Sequence, residues 1–281
     1  MRLPKTVWAL SLTSFFRDVA SEMIGNVLPL FLAQTLGVGT SIIGFVLGLA
    51  DAVSSLTRLV SGWLSDRWRN RKWLTATGYG LAAVATGALW FAGSWFWVMV
   101  MRVLDRLGKG IRTAPRDALI ADVTPPAQRG RSFGLHRAMD TAGAFVGLTL
   151  ALIIVLKLQG NDANLELATW RTLLIWAIVP SIVATLIVIV GVKEPPASPH
   201  KASQTAPTAI KHNRRFLLLM GILMLFTLGN SNDAFLVLRM QAGGASLVQI
   251  LLTLMGFNAV YSLISSPAGR WSDRVGRGKV L

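Results

Sequence analysis

The sequence predicts an all-α, multi-pass transmembrane helical bundle, and three observations carry that prediction. Hydrophobic residues make up 53% of the 281 residues and charged residues only 15%, with a mean hydropathy of +0.54, which excludes an ordinary soluble domain. Apolar runs of about 20 residues, the length that crosses a hydrocarbon core, occur eight times. The basic residues behind the net charge of +15 lie mostly in short segments between those runs, a pattern of membrane topology and not of nucleic-acid binding.

The first span, 6–34, holds Arg17, Asp18 and Glu22 near its middle, and is too long and too acidic to be a cleaved signal peptide. After the short loop TLGVGT comes span 41–64, where Asp51 and Arg58 sit seven residues apart, roughly on one face, and are expected to pair with each other or within a cavity. Span 73–93 has no ionisable residue between Thr75 and Phe91, and the loop AGSW joins it to span 96–122, so the two must lie antiparallel. Span 132–157 crowds His136, Arg137 and Asp140 at its start, where the histidine is read as solvated or hydrogen-bonded, or as a group titrating near neutral pH. Span 171–192 is free of charge between Thr172 and Val192, so with the third span it is expected to face lipid. Span 215–240 carries Asn230, Asn232 and Asp233, either for hydrogen bonds between helices or as a contribution to a site, and span 247–269 closes the series. Ten tryptophans, among them Trp8, Trp90, Trp95, Trp97 and Trp170, fall largely near span ends and suit interfacial belts.

Lys193 to Asn213 is rich in Pro, Ser, Thr and Ala and reads as a flexible linker. The expected domains are a six-helix N-terminal bundle at 1–192, a cytoplasmic linker at 193–213 and a partial C-terminal bundle of two helices at 214–281. With the N-terminus inside, seventeen Lys and Arg fall on the inner side and three, Lys157, Arg171 and Arg239, on the outer. That bias makes the N-terminus and the linker cytoplasmic.

The fourth span is where chemistry concentrates. Arg102, Arg106, Lys109, Arg112 and Arg116 recur at spacings of 4, 3, 3 and 4, so four share one narrow helical face with Arg112 at its edge. A charge at bilayer depth costs at least about 2.5 kcal/mol, so this face must look into protein or water. Asp105, Asp117 and Asp122 neutralise part of the stripe and leave a surplus for other helices, water or a bound anion; the rival reading is an internal ion-pair ladder. Gly108, Gly110 and Pro115 are read as a weak spot in the helix.

An offset of 207 residues brings Ala52-Val53, Ser55, Gly62, Ser65-Asp66-Arg67 and Lys72 onto Ala259-Val260, Ser262, Gly269, Ser272-Asp273-Arg274 and Lys279. The same register aligns Gly37 with Gly244 and Ile43 with Ile250. GWLSDRWRNRK (62–72) and GRWSDRVGRGK (269–279) resemble the paired loop motif of the major facilitator superfamily, with Gly62, Asp66, Arg67, Gly269, Asp273 and Arg274 on its positions and Arg69 standing where the motif has glycine. Arg106-Leu-Gly-Lys-Gly110 resembles that family's helix 4 motif, and PPAQRGRSFGL (125–135) its loop between helices 4 and 5. Gly143-Ala-Phe-Val-Gly147 is followed by Leu148, where drug antiporters of the family have proline. FFRDVASEM (15–23) with DRLGKGIRTAPRD (105–117) is similar to a bacterial branch of poorly defined substrate.

The resemblance implies twelve helices, and the sequence carries eight, so the chain reads as truncated after helix 8, with a partner chain as an alternative source of the rest. It further implies that helices 1 and 4 line one central cavity, which makes Asp18 and Glu22 partners for the helix 4 cations and candidate proton-coupling residues. A static bridge between the two helices is the rival role. The family's loop-motif Asp docks on the other bundle, so Asp66 is expected to lack its partner here, whereas Asp273 would reach the start of helix 5 near Arg131.

The reading is a secondary transporter in a bacterial cytoplasmic (inner) membrane that moves a small anionic solute by alternating access with a proton gradient. Arg102, Arg106, Lys109, Arg116 and Arg17 are its solute-binding candidates. Drug or cation efflux is the alternative within transport, and a truncated non-transporting membrane protein or assembly partner the alternative outside it. There is no cysteine, no His-x-x-x-His or Glu-x-x-His pair and no phosphate-binding Gly-x-x-x-x-Gly-Lys loop, so no metal, cofactor, nucleic-acid partner or enzymatic function is expected.

Overall fold

The computed structural model describes residues 3–68, 70–162, 164–194, 214–229 and 232–275, with the side chains of these except at 214–216, at 228–229 and beyond Val260, where Ile264 alone is described. Among the described residues nine α-helices longer than one turn run in order: α1 Lys5–Gly25, α2 Thr40–Trp68, α3 Arg71–Ala88, α4 Trp95–Val123, α5 Arg129–Leu158, α6 Leu167–Gly191, α7 Arg214–Gly229, α8 Asp233–Ala242 and α9 Leu247–Val275. Most of the expected linker, 195–213, lies outside the described residues, as do the side chains at Asp273 and Arg274 and the surroundings of Gly269.

Two expected spans are interrupted. The first helix stops at Gly25, with Asn26 Nδ2 folded back onto the Glu22 carbonyl (3.2 Å) and carboxylate (2.9 Å). A turn at Leu28–Leu30 follows, started by Pro29, and then a wide π-type turn at Phe31–Thr35. The seventh span is divided into α7 and α8. Asn232 is extended there (φ −69°, ψ 139°) and its side chain accepts from Ala234 N at 3.0 Å, an N-cap that starts a new helix instead of continuing the old one. Asn competes with the helix backbone for hydrogen bonds, which is why Asn232 suits the start of a helix and not its interior.

Among the described residues, four segments are long and apolar enough to cross a membrane: Thr40–Trp68, Arg71–Phe91, Pro126–Leu158 and Leu167–Gly191. They contain α2, α3, α5 and α6. Helices α1 and α4 have the length but carry charges inside it, and these two are enclosed by the others. α4 packs between α2 and α3, α1 packs between α5 and α6, and α3 meets α6 to join the two groups. α9 lies against α5. The outer faces of α3 and α6 expose Val84, Phe91, Ile175, Trp176 and Val179, as expected for lipid contact.

The contacts of α4 with its neighbours explain its glycines. A Cβ at Gly108 would lie 2.5 Å from the Gly78 carbonyl oxygen, and one at Gly110 would lie 2.8 Å from that of Ser54. These positions let the α3 and α2 backbones touch α4, and the Ser61 hydroxyl donates to Gly110 O at 2.8 Å. The helix runs unbroken from Trp95 to Val123 with Pro115 inside it, so Gly108 and Gly110 are seats for neighbouring helices and not a weak spot. Gly143 and Gly147 of α5 play the same part against the carbonyls of Phe15 and Val19 of α1.

The internal repeat recurs in the backbone. Gly37 and Gly244, aligned by the offset, both take left-handed φ values, 64° and 84°, and Ile43 and Ile250 are both buried. Trp170 departs from the interfacial expectation: it is buried and stacks on Phe31 with centroids 4.3 Å apart, filling the space beside the interrupted end of the first span. At the other end, Asp66 has a partner within its own bundle, contrary to expectation. Arg71 Nη2 donates to it at 3.2 Å while Arg71 Nη1 bonds Asp122, and the Glu194 carboxylate takes the Arg71 and Lys72 amides at 3.0 and 2.7 Å across the start of α3.

Candidate functional site

Two cavities lie one beyond the other along the α1–α4 contact. The first, of about 480 Å³, is bounded by the Ser14–Asp18 stretch of α1, Lys109–Asp117 of α4 and Arg137–Ala144 of α5, with Arg58, Tyr79 and Asn258 from α2, α3 and α9. The second, of about 440 Å³, lies between Asp18 and Pro29 on one side and Arg102–Lys109 on the other, with Leu47 and Asp51 of α2 and Asn232–Val237 at the start of α8. Asp18 and Lys109 line both. The first cavity is basic and the second mixed: Asp18, Glu22, Asp51 and Asp233 there face Arg102, Arg106 and Lys109.

Between the helices the charges pair differently from the sequence expectation. The α1–α4 bridge is formed by Arg17 and Asp105, not by Asp18 or Glu22 with an α4 cation. Arg17 Nη2 donates to Asp105 Oδ1 at 2.5 Å, and Arg17 Nη1 donates to Ser181 Oγ at 2.6 Å and Thr86 Oγ1 at 3.2 Å. Arg17 is 4% exposed and Asp105 7%, so one guanidinium ties α1 to α3, α4 and α6 inside the bundle. Thr86 and Ser181 are inward polar residues of two largely apolar helices. Their position in the middle of charge-free spans was the available signal.

Along α4 three of the remaining cations, Arg102, Arg106 and Arg116, have individual partners. Arg102 lies 3.6 Å from Asp105, and Arg106 meets Asp51 of α2 at 3.2 Å. Asp51 also accepts from Asn232 Nδ2 at 3.3 Å, so it links α2 to α4 and to the cap of α8; of the two expected pairings, with Arg58 or within a cavity, it makes the second. Arg116 is held by Asp117 at 2.9 Å and reaches Ser14 Oγ at 3.5 Å. Lys109 makes no ion pair or hydrogen bond through its ammonium group among the described residues, and the same is true of the Asp18 carboxylate. Asn230 lies outside the described residues.

Arg112, placed at the stripe's edge by spacing, is 7% exposed, and its guanidinium lies over the Tyr79 ring at 4.6 Å from the centroid. Tyr79 was missed by the sequence reading. It is one of two tyrosines in the chain, set between Gly78 and Gly80 in an apolar span, and only the packing of α3 on α4 shows that it faces a cation. His136 is buried and not solvated, with Nε2 3.9 Å from Asp140. Among the described residues no cluster of three or more His, Cys, Asp or Glu is arranged to hold a metal ion.

Comparison with known proteins is consistent with this architecture. The family model described as Major Facilitator Superfamily matches residues 10–281. An uncharacterized MFS-type transporter of Methanocaldococcus jannaschii is 37% identical over 287 residues, covering 99% of this chain and 69% of its own length. The multidrug resistance protein MdtH of Aeromonas hydrophila is 29% identical over 143 residues, 51% of this chain and 36% of the relative. Among solved structures, a bacterial homologue of the human lysosomal transporter Spinster, inward-facing and unoccupied, superposes with a TM-score of 0.71 at 17% identity, over 99% of this chain and 64% of that one. A D-xylose–proton symporter gives 0.66 at 15% identity, over 97% and 70%. These two likenesses establish the fold alone. The chain thus spans about a third to two thirds of the length of the proteins it matches.

Proposed function

Since the chain belongs to the major facilitator superfamily, we propose that it is a secondary transporter moving a small anionic solute by alternating access, in symport with protons. In this reading it sits in the cytoplasmic (inner) membrane with its N-terminus inside, which the distribution of Lys and Arg between spans supports. The six helices to residue 192 form one bundle, 193–213 link it to the next, and 214–281 begin the second. Of the five candidate cations, Lys109 is the proposed contact with the solute and Arg102, Arg106, Arg116 and Arg17 shape the field around it, while Asp18 and Glu22 are the carboxylates proposed to carry the proton.

The observation that carries the reading is that Asp18 and Lys109 line both cavities, while neither is closed in an ion pair among the described residues. Arg17, Arg102, Arg106 and Arg116 each hold a carboxylate, so they set the field, and Lys109 supplies the charge that is free to meet the solute. An ionised Asp18 competes with the anion for Lys109. A protonated Asp18 does not, so proton and anion favour each other's binding, and by linkage the favour is equal in both directions.

Reconstitution in liposomes tests this. Lys109→Gln should abolish both solute counterflow and accumulation driven by a pH gradient, whereas Asp18→Asn should keep counterflow and lose accumulation. Full gradient-driven accumulation by Asp18→Asn would overturn the coupling role. A second reading, efflux of lipophilic cations in exchange for protons, rests on the MdtH relatives and on the four carboxylates of the mixed cavity. Ethidium extrusion that depends on Asp18 and Glu22, with no anion transport, would favour it.

A further inference from the structure

We propose that the basic cavity is a seat for a dianion, with Arg112 as its anchor and Tyr79 as the residue that positions that anchor. The inference rests on the anionic-solute reading and makes it specific in charge. Two cations on the cavity wall, Arg17 and Arg116, are closed by Asp105 and Asp117. What remains is Arg58, Lys109, Arg112 and Arg137 against Asp18 and Asp140, two positive charges in excess. The mixed cavity has no such excess, so an anion entering between α1 and α4 is drawn to the basic end.

Within the basic cavity Arg112 is the cation with least compensation. It is buried, among the described residues it makes no ion pair or hydrogen bond, and the Tyr79 ring lies against it. Its Nη1 has no acceptor, and the Tyr79 hydroxyl, also buried on the same wall, has Arg116 as its polar neighbour. The hydroxyl's charged neighbour Arg116 has only donors to offer, so the phenol proton lacks an acceptor. Buried polar groups of folded proteins are mostly satisfied, so two donors left unmet beside one cavity mark a place for acceptor oxygens. The tyrosine ring under the guanidinium keeps it in place without neutralising it, which a carboxylate in that position would do. A volume of about 480 Å³ admits a small organic molecule and its two charges.

The charge count suits a phosphate monoester, with both charges on one group, or a dicarboxylate, with one at each end. Binding to the purified full chain in detergent, read by tryptophan fluorescence and by ligand-induced thermal shift, separates them. The probes are methyl phosphate, succinate and acetate. Either dianion should bind at least ten times more tightly than acetate, and Arg112→Gln should remove that preference. Tyr79→Phe should weaken dianion binding several-fold while leaving acetate unchanged. Preference for methyl phosphate assigns both charges to one group, and preference for succinate assigns them to two. Because Arg112 lacks a partner, Arg112→Gln should leave the melting temperature of the unliganded chain unchanged or raised. Equal binding of acetate and dianions would overturn this proposal and leave the anionic-solute reading standing; binding of no anion would overturn both. A large fall in melting temperature for unliganded Arg112→Gln would show a structural cation and overturn the anchor role.

Discussion

Replacing Arg17 by glutamine is the most informative perturbation of the bundle, because Arg17 was a solute-binding candidate from sequence and stands in the structure as a tie between four helices. The guanidinium donates to Asp105, Ser181 and Thr86 at 2.5, 2.6 and 3.2 Å, and both members of the ion pair are more than nine-tenths buried. Removing one member of a buried pair leaves the other charge uncompensated, at a cost of about 3–5 kcal/mol. Arg102 lies 3.6 Å from the same Asp105 and offsets part of that loss, so the lower end, about 3 kcal/mol, is expected. Arg17→Lys keeps the charge but cannot span three acceptors, and should cost about 1–2 kcal/mol for the hydrogen bonds it gives up. The double variant Arg17→Gln/Asp105→Asn removes both charges together and should recover most of the loss, leaving a coupling of about 2 kcal/mol in a double-mutant cycle. Reversible unfolding in detergent micelles measures the parent chain, these three variants and Asp105→Asn, the second single change that the cycle needs. If Arg17→Gln costs less than about 1 kcal/mol while solute uptake disappears, the structural reasoning is refuted and Arg17 belongs to the solute.

Two further outcomes follow from geometry. Gly78→Ala places a methyl group 2.6 Å from the Gly108 carbonyl oxygen and from Arg112 Cβ, so α3 and α4 must separate; a loss of about 1–3 kcal/mol in the same unfolding assay is expected, and no loss would mean that the two helices do not touch there. Since the chain has no cysteine, single cysteines give a clean test of orientation: one at Asn70 should react with an impermeant thiol reagent only from the cytoplasmic side, one at Gly39 only from outside, and the reverse pattern would invert the topology.

The fold was legible because hydropathy and charge bias are local properties of a chain. Eight apolar runs, the repeat at 207 and the stripe on the fourth span are countable in the sequence, and they give the helices, the motif pair and the helix that must face a cavity. The helix start at Asn232 is only faintly marked in the sequence, because a capping residue type within a long apolar run also serves for hydrogen bonds between helices. The site was less legible because it depends on how helices are rotated against each other. Adjacent residues on a helix point about 100° apart, so the choice of Arg17 or its neighbour Asp18 as the residue that meets α4 is a matter of helix setting, which no spacing within α1 contains. The tertiary structure decided that setting through the glycine contacts: Gly143 and Gly147 bring α5 onto the backbone of α1, and Gly78 and Gly108 bring α3 onto α4. With those distances fixed, Arg17 meets Asp105, Tyr79 lies beneath Arg112, and Asp18 and Lys109 are left facing the two cavities. The sequence by itself determined a membrane bundle with charge stored on α1 and α4; which of those charges are closed in pairs and which stay available was decided by packing, because pairing is set in three dimensions at distances of a few ångströms.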